Sequence, residues 1–389
     1  MSEIDNILKN CNGCKLCVEE CDFLQQYCSS PKELAESFKA GEHKTHPQIP
    51  YSCNICSLCE VRCPKKLNIG KMCFAARRQL VQEGLAPLEQ HQSLAKGLDW
   101  NESDAFRVAL PASFAGEIKS ITKRVFFPGC ALSAYSADLV LKGYDYLQEK
   151  LPGTGIVLGC CGAPAYLIAD QQRFDEVIEG IMSDLNGLGC SEIITACPYC
   201  HNALKHHLPN LRITSLYRIL EKIGIPEAEL EETNAAEKRT FSIHDPCSTR
   251  FEPEIQNSIR KLIQAAGHEV CELEHSRDAT HCCGLGGMAF AVDSNLSAKK
   301  AKRTVQESKH DLVTYCASCR GNLASQGASI LHVLDLLFGE SLQDKRVAPP
   351  AEPSKAQENQ RALKLRLLAR QMLARQKMSD TFGPAMNPF

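Results

Sequence analysis

The chain has 389 residues, 44% hydrophobic and 23% charged, with a formal net charge of −2. That describes an ordinary globular protein of roughly two or three domains, and the near-neutral balance carries no electrostatic footprint of nucleic acid or of a membrane surface. The 22 cysteines are the anomaly: MSEIDNILKN lacks the basic start and apolar run of a signal peptide, and no apolar stretch approaches the roughly 20 residues of a membrane span, so the expected setting is a reducing cytoplasm with metal-bound thiolates.

Residues 1–100 carry two compact cysteine clusters. CNGCKLCVEEC sets Cys11, Cys14, Cys17 and Cys21 at C-x2-C-x2-C-x3-C. CNICSLCEVRCP sets Cys53, Cys56, Cys59 and Cys63 at the same spacing, followed by Pro64. This is the bacterial ferredoxin pattern for 4Fe-4S clusters, in which the fourth cysteine of each motif ligates the other cluster. Cys11, Cys14, Cys17 and Cys63 are therefore expected on one cubane, and Cys53, Cys56, Cys59 and Cys21 on the other. Structural zinc also takes C-x2-C pairs, but a four-ligand ion does not explain this doubled arrangement. Asp22 stands where such a motif usually has proline, which bears on the turn more than on ligation. SPKELAESFKAGE (30–42) and IGKMCFAARRQLVQEG (69–84) read as helices, so the domain is expected to be a helical ferredoxin-like one rather than small and β-rich.

The stretch 101–122 offers few cues and reads as a linker. Beyond it the sequence repeats itself. RVFFPGCALS (124–133) and TFSIHDPCSTR (240–250) each run an apolar strand into a cysteine loop. GIVLGCCG (155–162) resembles ATHCCGLGG (279–287), and EIITACPYC (192–200) resembles DLVTYCASC (311–319). A helical stretch such as SADLVLKGYDYLQEKL (136–151) usually follows. Alternating strands and helices imply an α/β module. Its double occurrence implies an internal duplication, with copies at 123–236 and 237–340.

Each copy holds two adjacent cysteines. A disulfide between neighbours is a poor explanation, because consecutive Cα atoms lie about 3.8 Å apart and a relaxed disulfide needs about 4.4–6.8 Å. The first module offers Cys130, Cys160, Cys161, Cys197 and Cys200; the second offers Cys247, Cys282, Cys283, Cys316 and Cys319. Five thiolates are one too many for a simple cube and suit a larger or more open iron–sulfur assembly. Gly162 and Gly284 let the backbone turn away without a Cβ clash.

Residues 341–389 differ again. VAPPAEPSKAQENQ (347–360) reads as a polar, proline-bearing linker. RALKLRLLARQMLARQK (361–377) has six basic residues and no acidic ones, and Leu363, Leu367 and Arg370 fall at helical spacing. A basic helix is expected there, docked on its own protein or on a partner in preference to a membrane surface.

Tandem modules of this kind resemble the catalytic subunit of heterodisulfide reductase. The N-terminal region resembles that enzyme's small iron–sulfur subunit, fused in this order as in some family members. The resemblance covers about residues 5–340. It implies an α/β protein: a helical two-cluster ferredoxin-like domain followed by duplicated cysteine-rich (CCG) modules. It also implies two cubane 4Fe-4S clusters on the N-terminal cysteines and a noncubane 4Fe-4S cluster on each five-cysteine module. The two noncubane clusters would face one another and split a small-molecule or protein disulfide into thiols, or run the reverse, with no protein acid or base strictly required. Related subunits of glycolate oxidase, lactate-utilisation complexes, anaerobic glycerol-3-phosphate dehydrogenase and thiol-dependent fumarate reductase are similar too. The dehydrogenase relatives pass electrons from a flavoprotein toward quinone and often have incomplete CCG cysteines. Completeness here favours disulfide chemistry, with electron relay toward quinone as the alternative.

PGTGIVLG (152–159) lacks the spacing and context of a dinucleotide loop, and no P-loop is present. Electrons must then come from a separate flavoprotein, ferredoxin or membrane cytochrome, and the chain is expected in the cytoplasm or held to the inner membrane face through such a partner. Cys28, Cys73, Cys190 and Cys271 remain, with Cys73 and Cys190 expected in the core. His201, His206 and His207 after CPYC permit a zinc-finger, binding-module reading, but it leaves Cys130, Cys160 and Cys161 unexplained. His244 and His281 precede ligand cysteines and are expected to satisfy hydrogen bonds; substrate binding or proton delivery is the lesser reading.

Overall fold

Side-chain caps set the N-terminal helices. Ser2, Ser30 and Asn68 each accept a hydrogen bond from the backbone N–H three residues on, opening helices Glu3–Asn10, Pro31–Lys39 and Ile69–Gln82. Pro31 sits in the first turn, where its missing N–H costs nothing. The buried faces of these helices supply Ile7, Leu34, Ala35, Phe38, Met72 and Ala76, which pack with Phe23 and with the thiols of Cys17, Cys53, Cys59 and Cys73. Full burial of a side chain such as Phe38 contributes about 1.5–3 kcal/mol. The apolar core is thus wrapped directly around the cysteines.

The computed structural model describes residues 2–112, 121–226, 238–338 and 352–382, with side chains to residue 374. The described residues fall into two units. One lies within Met1–Leu98, Gly162–Asp175 and Glu227–Pro350; the other within Asp99–Cys161, Glu176–Pro226 and Ala351–Phe389.

The second unit holds a five-stranded sheet of β1 (Val108–Leu110), β2 (Arg124–Phe127), β3 (Thr154–Leu158), β4 (Glu192–Thr195) and β5 (Arg212–Ser215), in the order β1-β3-β2-β4-β5. All pairs are parallel except β1 with β3. β3 is buried throughout, as expected of a strand covered on both faces. The first unit holds β6 (Thr240–His244), β7 (Glu269–Glu272), β8 (Leu312–Thr314) and β9 (Ile330–His332), all parallel, in the order β7-β6-β8-β9. Removing β1 leaves the same strand order in both sheets, so the sequence duplication is a duplication of fold. The copies differ at one connection. β3 runs almost directly into Cys160, whereas β7 ends at Glu272, well before Cys282.

Two expected linkers are structured. Val108–Leu110, within the supposed 101–122 linker, pairs antiparallel with β3 in the register Val108↔Leu158. Gly155 permits the approach: a Cβ there would lie 2.6 Å from the Leu110 carbonyl oxygen. Residues 113–120 lie outside the described residues. The supposed 347–360 linker is helical from Pro353, in a helix that runs to Phe382. Proline does not oppose a helix in its first turn; residues 347–351 lie outside the described residues. This basic helix docks on its own unit. Leu363 and Leu367 are fully buried. Gln360 links Trp100 Nε1 (2.6 Å) to the Cys130 carbonyl (3.0 Å), and Arg366 and Arg370 pair with Asp138 and Asp145. Cys73 is in the core as expected, but Cys190 is only half-buried, at the turn closing helix Gln171–Leu188.

Arg77 ties the first unit together. It is fully buried and donates to the carbonyls of Pro50, Tyr51, Cys53, Leu167 and Gly287 at 2.6–3.2 Å, with its guanidinium 4.8 Å from the Tyr51 ring centre. Only a planar fork of donors serves this many acceptors at once. Arg77→Leu should cost at least about 3 kcal/mol, because it strands several buried carbonyls, and Arg77→Lys should recover little of it. Thermal unfolding of the anaerobic protein reads this directly; an unchanged midpoint in Arg77→Leu would remove the residue from this role.

Candidate metal centres

The two ferredoxin motifs fold alike. In each, the residue before the second cysteine and the residue after it take positive φ: Gly13 (73°) and Lys15 (65°) around Cys14, and Ile55 (51°) and Ser57 (59°) around Cys56. A β-branched residue held there stores backbone strain, of order 1–3 kcal/mol. The turn brings the third thiol of each motif round beside the first two.

The thiols gather in the crossed quartets. Burial pushes the Cys17 thiol up to about 12, with Cys63, Cys11 and Cys14 adding to the shift. Those four line one hollow with Lys15, Lys65 and Ile69. Burial likewise raises Cys59, with Cys56, Cys53 and Cys21 as its charged neighbours. Cys21 is driven up to about 11 by burial against the pull of Lys300, with Cys56 and Cys53 beside it. Backbone N–H groups of Ile69 and Ile55 point at Cys59 Sγ (3.3 Å) and Cys53 Sγ (3.5 Å). Cys73, outside the motif, hydrogen-bonds Cys53 and holds that thiol below its usual range.

Each module gathers its five cysteines at the carboxyl ends of its parallel strands, the position where such sheets bind ligands. In the first, Cys160 contacts Cys130 and Cys161, and Cys200 contacts Cys161 and Cys197; these contacts and burial raise both thiols well above their usual range. Gly129, at φ 83°, makes room: a Cβ there would lie 2.9 Å from Cys200 Sγ. Glu102 accepts from the Cys160 N–H at 2.9 Å. In the second module the order of contact is the same. Cys282 touches Cys247 and Cys283, and Cys319 touches Cys283 and Cys316. The Cys247 loop is fixed by buried Asp245, which accepts from Arg260 at 2.9 and 2.7 Å and from Tyr315 at 2.9 Å. Burial would raise Asp245, but these donors hold it below the usual carboxylate range.

In the first unit the ferredoxin cysteines and the second module meet. Cys56 hydrogen-bonds Cys282. Asn54 Nδ2 donates to the Gly284 and Gly286 carbonyls at 2.7 and 2.9 Å. Gly287, at φ 61°, lets the Cys53 carbonyl approach to where a Cβ would be 2.5 Å away. The glycines after the second cysteine pair therefore serve close packing as well as the turn. Asp22, the departure from proline, is buried and pairs with Lys299 (3.0 Å) and Arg303 (3.1 Å) of helix Ser294–Glu307.

The donor set fits multi-iron clusters better than single zinc ions. Tetrahedral zinc with Zn–S of about 2.3 Å needs sulfurs about 3.8 Å apart. Among the described residues, no three ferredoxin cysteines bring their sulfurs within 4.8 Å of one another. The zinc-finger reading of His201, His206 and His207 fails as well. His201 is buried against the Thr195 hydroxyl at 3.2 Å, and His206 and His207 pack edge to face on each other. Thiols that raise one another's pKa ionise together only when a cation joins them.

Three residues near the second pentad carry weaker or no sequence signals. His244 is buried, lies within 4.8 Å of Cys283 and Cys319, and leaves both ring nitrogens without a protein partner. The matching position in the first module, three residues before the first cysteine, is Phe127. Lys300 is a buried cation that donates to Asn54 Oδ1, with Cys21, Cys282, Cys56 and Cys53 as its charged neighbours. His281, in contrast to His244, is engaged by Glu307 and Glu20. His244 is visible in the sequence as a histidine before a cysteine, but Lys300 gives no signal, because a helical lysine far from any motif reads as solvent-facing.

Residues 10–68 match the 4Fe-4S dicluster domain family, and residues 124–205 and 241–324 match the cysteine-rich CCG domain family. A subunit of the dihydromethanophenazine:CoB–CoM heterodisulfide reductase of Methanosarcina barkeri is 25% identical over 76% of this chain and 75% of its own length. EtfAB:quinone oxidoreductase of Syntrophomonas wolfei is 24% identical over 61% of this chain, and the probable iron-sulfur-binding oxidoreductase FadF of Bacillus subtilis is 21% identical over 64%. The alignment spans 36% and 38% of the length of those two relatives. The chain is an iron–sulfur protein in which a 4Fe-4S dicluster domain precedes two CCG domains, homologous to that heterodisulfide reductase polypeptide and to related iron–sulfur oxidoreductases.

Proposed function

We propose that this chain is the iron–sulfur subunit of a heterodisulfide reductase-like complex that reduces a disulfide to two thiols, or runs the reverse. The observation that carries this reading is the completeness of both pentads, each with the same order of thiol contacts. The net reaction adds two electrons and two protons to the S–S bond and yields two thiols. When bound, two cubane and two noncubane 4Fe-4S clusters would supply electron storage and iron atoms with affinity for sulfur.

The chain's own residues have separate tasks. Cys11, Cys14, Cys17 and Cys63 would hold one cubane, and Cys53, Cys56, Cys59 and Cys21 the other. The hydrogen bond between Cys56 and Cys282 supports a short route from the second quartet to the second module. Lys300 offsets negative charge beside Cys21, Cys53, Cys56 and Cys282. Burial pushes His244 down to about 4, so near pH 7 it is a neutral imidazole with one N–H to donate. Electrons would come from a flavoprotein, ferredoxin or membrane cytochrome. Among the described residues no helix is long and apolar enough to cross a membrane. A second reading, electron relay from a flavin dehydrogenase toward quinone, is favoured by the relative named as a quinone oxidoreductase.

Iron and acid-labile sulfide on anaerobically purified protein should come to about 16 of each per chain, for four four-iron clusters. Adding thiols under oxidising conditions should give a new EPR signal. About 8 irons after full reconstitution, with no response to thiol, would leave the relay reading in the lead. A second variant probes the module asymmetry. His244→Phe, which copies Phe127, should keep its iron and shift one cluster's midpoint to more negative values. The loss of one charge-assisted hydrogen bond sets the scale, on the order of 50 mV. A potentiometric EPR titration identical to wild type would mean that His244 does not touch the cluster.

A further inference from the structure

The two ferredoxin quartets differ in their access to solvent. Among the described residues Cys14 is the one exposed cysteine of the chain, and Cys11, Cys17 and Cys63 of its quartet are half-buried or buried. In the second quartet Cys53 and Cys59 are buried, and Cys56 lies against Cys282. The first quartet is thus the outer end of the sulfur groups in this unit, and the second the inner one. Electron transfer between proteins slows steeply with distance, so an entry point has to lie where a cluster ligand reaches the surface. Cys14 meets that condition.

The surface around Cys14 has its own chemistry. The turn is held by Asn12, whose side chain accepts from the Cys14 N–H at 3.2 Å. Lys15 and Lys65 line the hollow over the first quartet, and among the described residues no carboxylate lines it. Lys66 is exposed next to Lys65. Among the described residues neither Lys65 nor Lys66 has an ion-pair partner. Glu33, which senses Lys15, is held first by the Ser29 side chain. The hollow beside the second quartet is different, because Glu20 and Asp22 stand there with Lys300 and Arg303, so both signs are present. Leu16, directly after Lys15 and 46% exposed, is the one exposed large hydrophobic side chain described among residues 2–84.

Sign and size select the kind of partner. A lysine rim with few acids attracts an anionic surface and speeds the encounter. One exposed leucine supplies too little apolar area for a permanent subunit interface, which buries about 2,000 Å2 or more. Encounters between redox proteins bury less than about 1,200 Å2, with a small apolar centre inside a polar rim.

We propose that the Cys14 face, with Leu16 as its apolar centre and Lys15, Lys65 and Lys66 as its rim, is the docking surface for a small acidic single-electron carrier protein whose own redox group lies at a surface of Asp and Glu. Each encounter moves one electron: the carrier is oxidised by one and this chain is reduced by one. A two-electron reaction then takes two encounters. The inference rests on the proposed function for the direction of flow, and it selects one donor class from those that reading allows.

Flavodoxin in its hydroquinone form is the probe: it is acidic, gives up one electron and reports the loss as a blue semiquinone. It is mixed in a stopped-flow cell with the anaerobic full-length protein, with no disulfide present. The second-order rate constant should fall about tenfold or more between roughly 0.02 and 0.3 M salt. The triple variant Lys15→Glu, Lys65→Glu, Lys66→Glu should lower the low-salt rate about tenfold or more. Its iron and sulfide should be unchanged, and a photogenerated deazaflavin radical, which needs no docking surface, should still reduce it. A second triple, Lys96→Glu, Lys302→Glu, Lys309→Glu, changes net charge equally at exposed lysines elsewhere and should lower the rate less than about threefold. If the first triple loses iron, Gln at the same three positions removes the charge and should shift the rate in the same direction. A rate indifferent to salt, or an equal loss in both triples, would overturn the proposal. So would no transfer from flavodoxin while the deazaflavin reaction proceeds, which would point to a membrane cytochrome or a tightly held flavoprotein instead. Disulfide turnover enters none of these measurements. A protein that takes electrons from flavodoxin at this face but reduces no disulfide would sink the disulfide chemistry and leave the surface standing.

Discussion

Thiolates repel one another, and this chain crowds them. Two unit charges 4 Å apart repel by about 4 kcal/mol at an effective dielectric of 20. Cys59, Cys160 and Cys319 show the consequence: burial and sulfur neighbours hold each thiol well above its usual range. A framework for such a group must bring the sulfurs together without help from the sulfurs themselves. The parallel sheets do this with backbone geometry. Three adjacent strands end on the same side, so loops after β2, β3 and β4, or after β6, β7 and β8, deliver their cysteines to one place. The ferredoxin motifs do it with positive-φ turns at matching positions.

Buried cations then offset part of the charge. Arg77 is among the influences that lower Cys53, and Lys300 among those that lower Cys53 and Cys21. Both also pack the ferredoxin helices against the second module, Arg77 through the Gly287 carbonyl and Lys300 through Asn54, which itself reaches Gly284 and Gly286. Arg250 works in the opposite direction along the chain, from the second module to the Cys56 carbonyl at 2.7 Å. Buried polar contacts of this kind are costly unless every partner is in place. They favour one docking geometry and penalise near misses, and that geometry sets Cys56 against Cys282.

The grouping of the cysteines is legible in the sequence, because motif spacing sets which thiols the backbone can bring together. The C-x2-C-x2-C-x3-C runs lead to crossed quartets, and Cys17 has Cys63 beside it as that crossing requires. The duplicated α/β modules are legible from repeated strand–cysteine loops. What escapes are elements whose cause lies elsewhere in the chain. Val108–Leu110 is too short to show a period and becomes a strand because Gly155 lets it approach β3. Pro353 has the character of a linker residue, yet it opens a helix whose docking depends on Gln360, Leu363 and Leu367 meeting Trp100 and the Cys130 segment. His275 and Glu307 are 32 positions apart and neither belongs to a motif, so only the fold brings them together.

The same module, built twice, has acquired different surroundings in each copy, and the differences fall next to the sulfurs. The first pentad has an acidic neighbour, Glu102, accepting from the Cys160 N–H, and Phe127 at the end of its central strand. The second has His244 at that strand position and buried Lys300 close to Cys282. Acidic and apolar neighbours favour the more oxidised, less negative form of an iron–sulfur centre, whereas an N–H donor and an ammonium favour the reduced form. Both pentads have a paired carboxylate nearby, Glu102 with Arg107 and Asp245 with Arg260; on the proposed function, His244 and Lys300 are the groups that would make the second pentad the easier to reduce. The second pentad is also the one whose cysteine touches a ferredoxin quartet. On the proposed function, an electron passing from that quartet to Cys282 would enter a pentad whose side-chain surroundings, rather than its ligands, favour reduction.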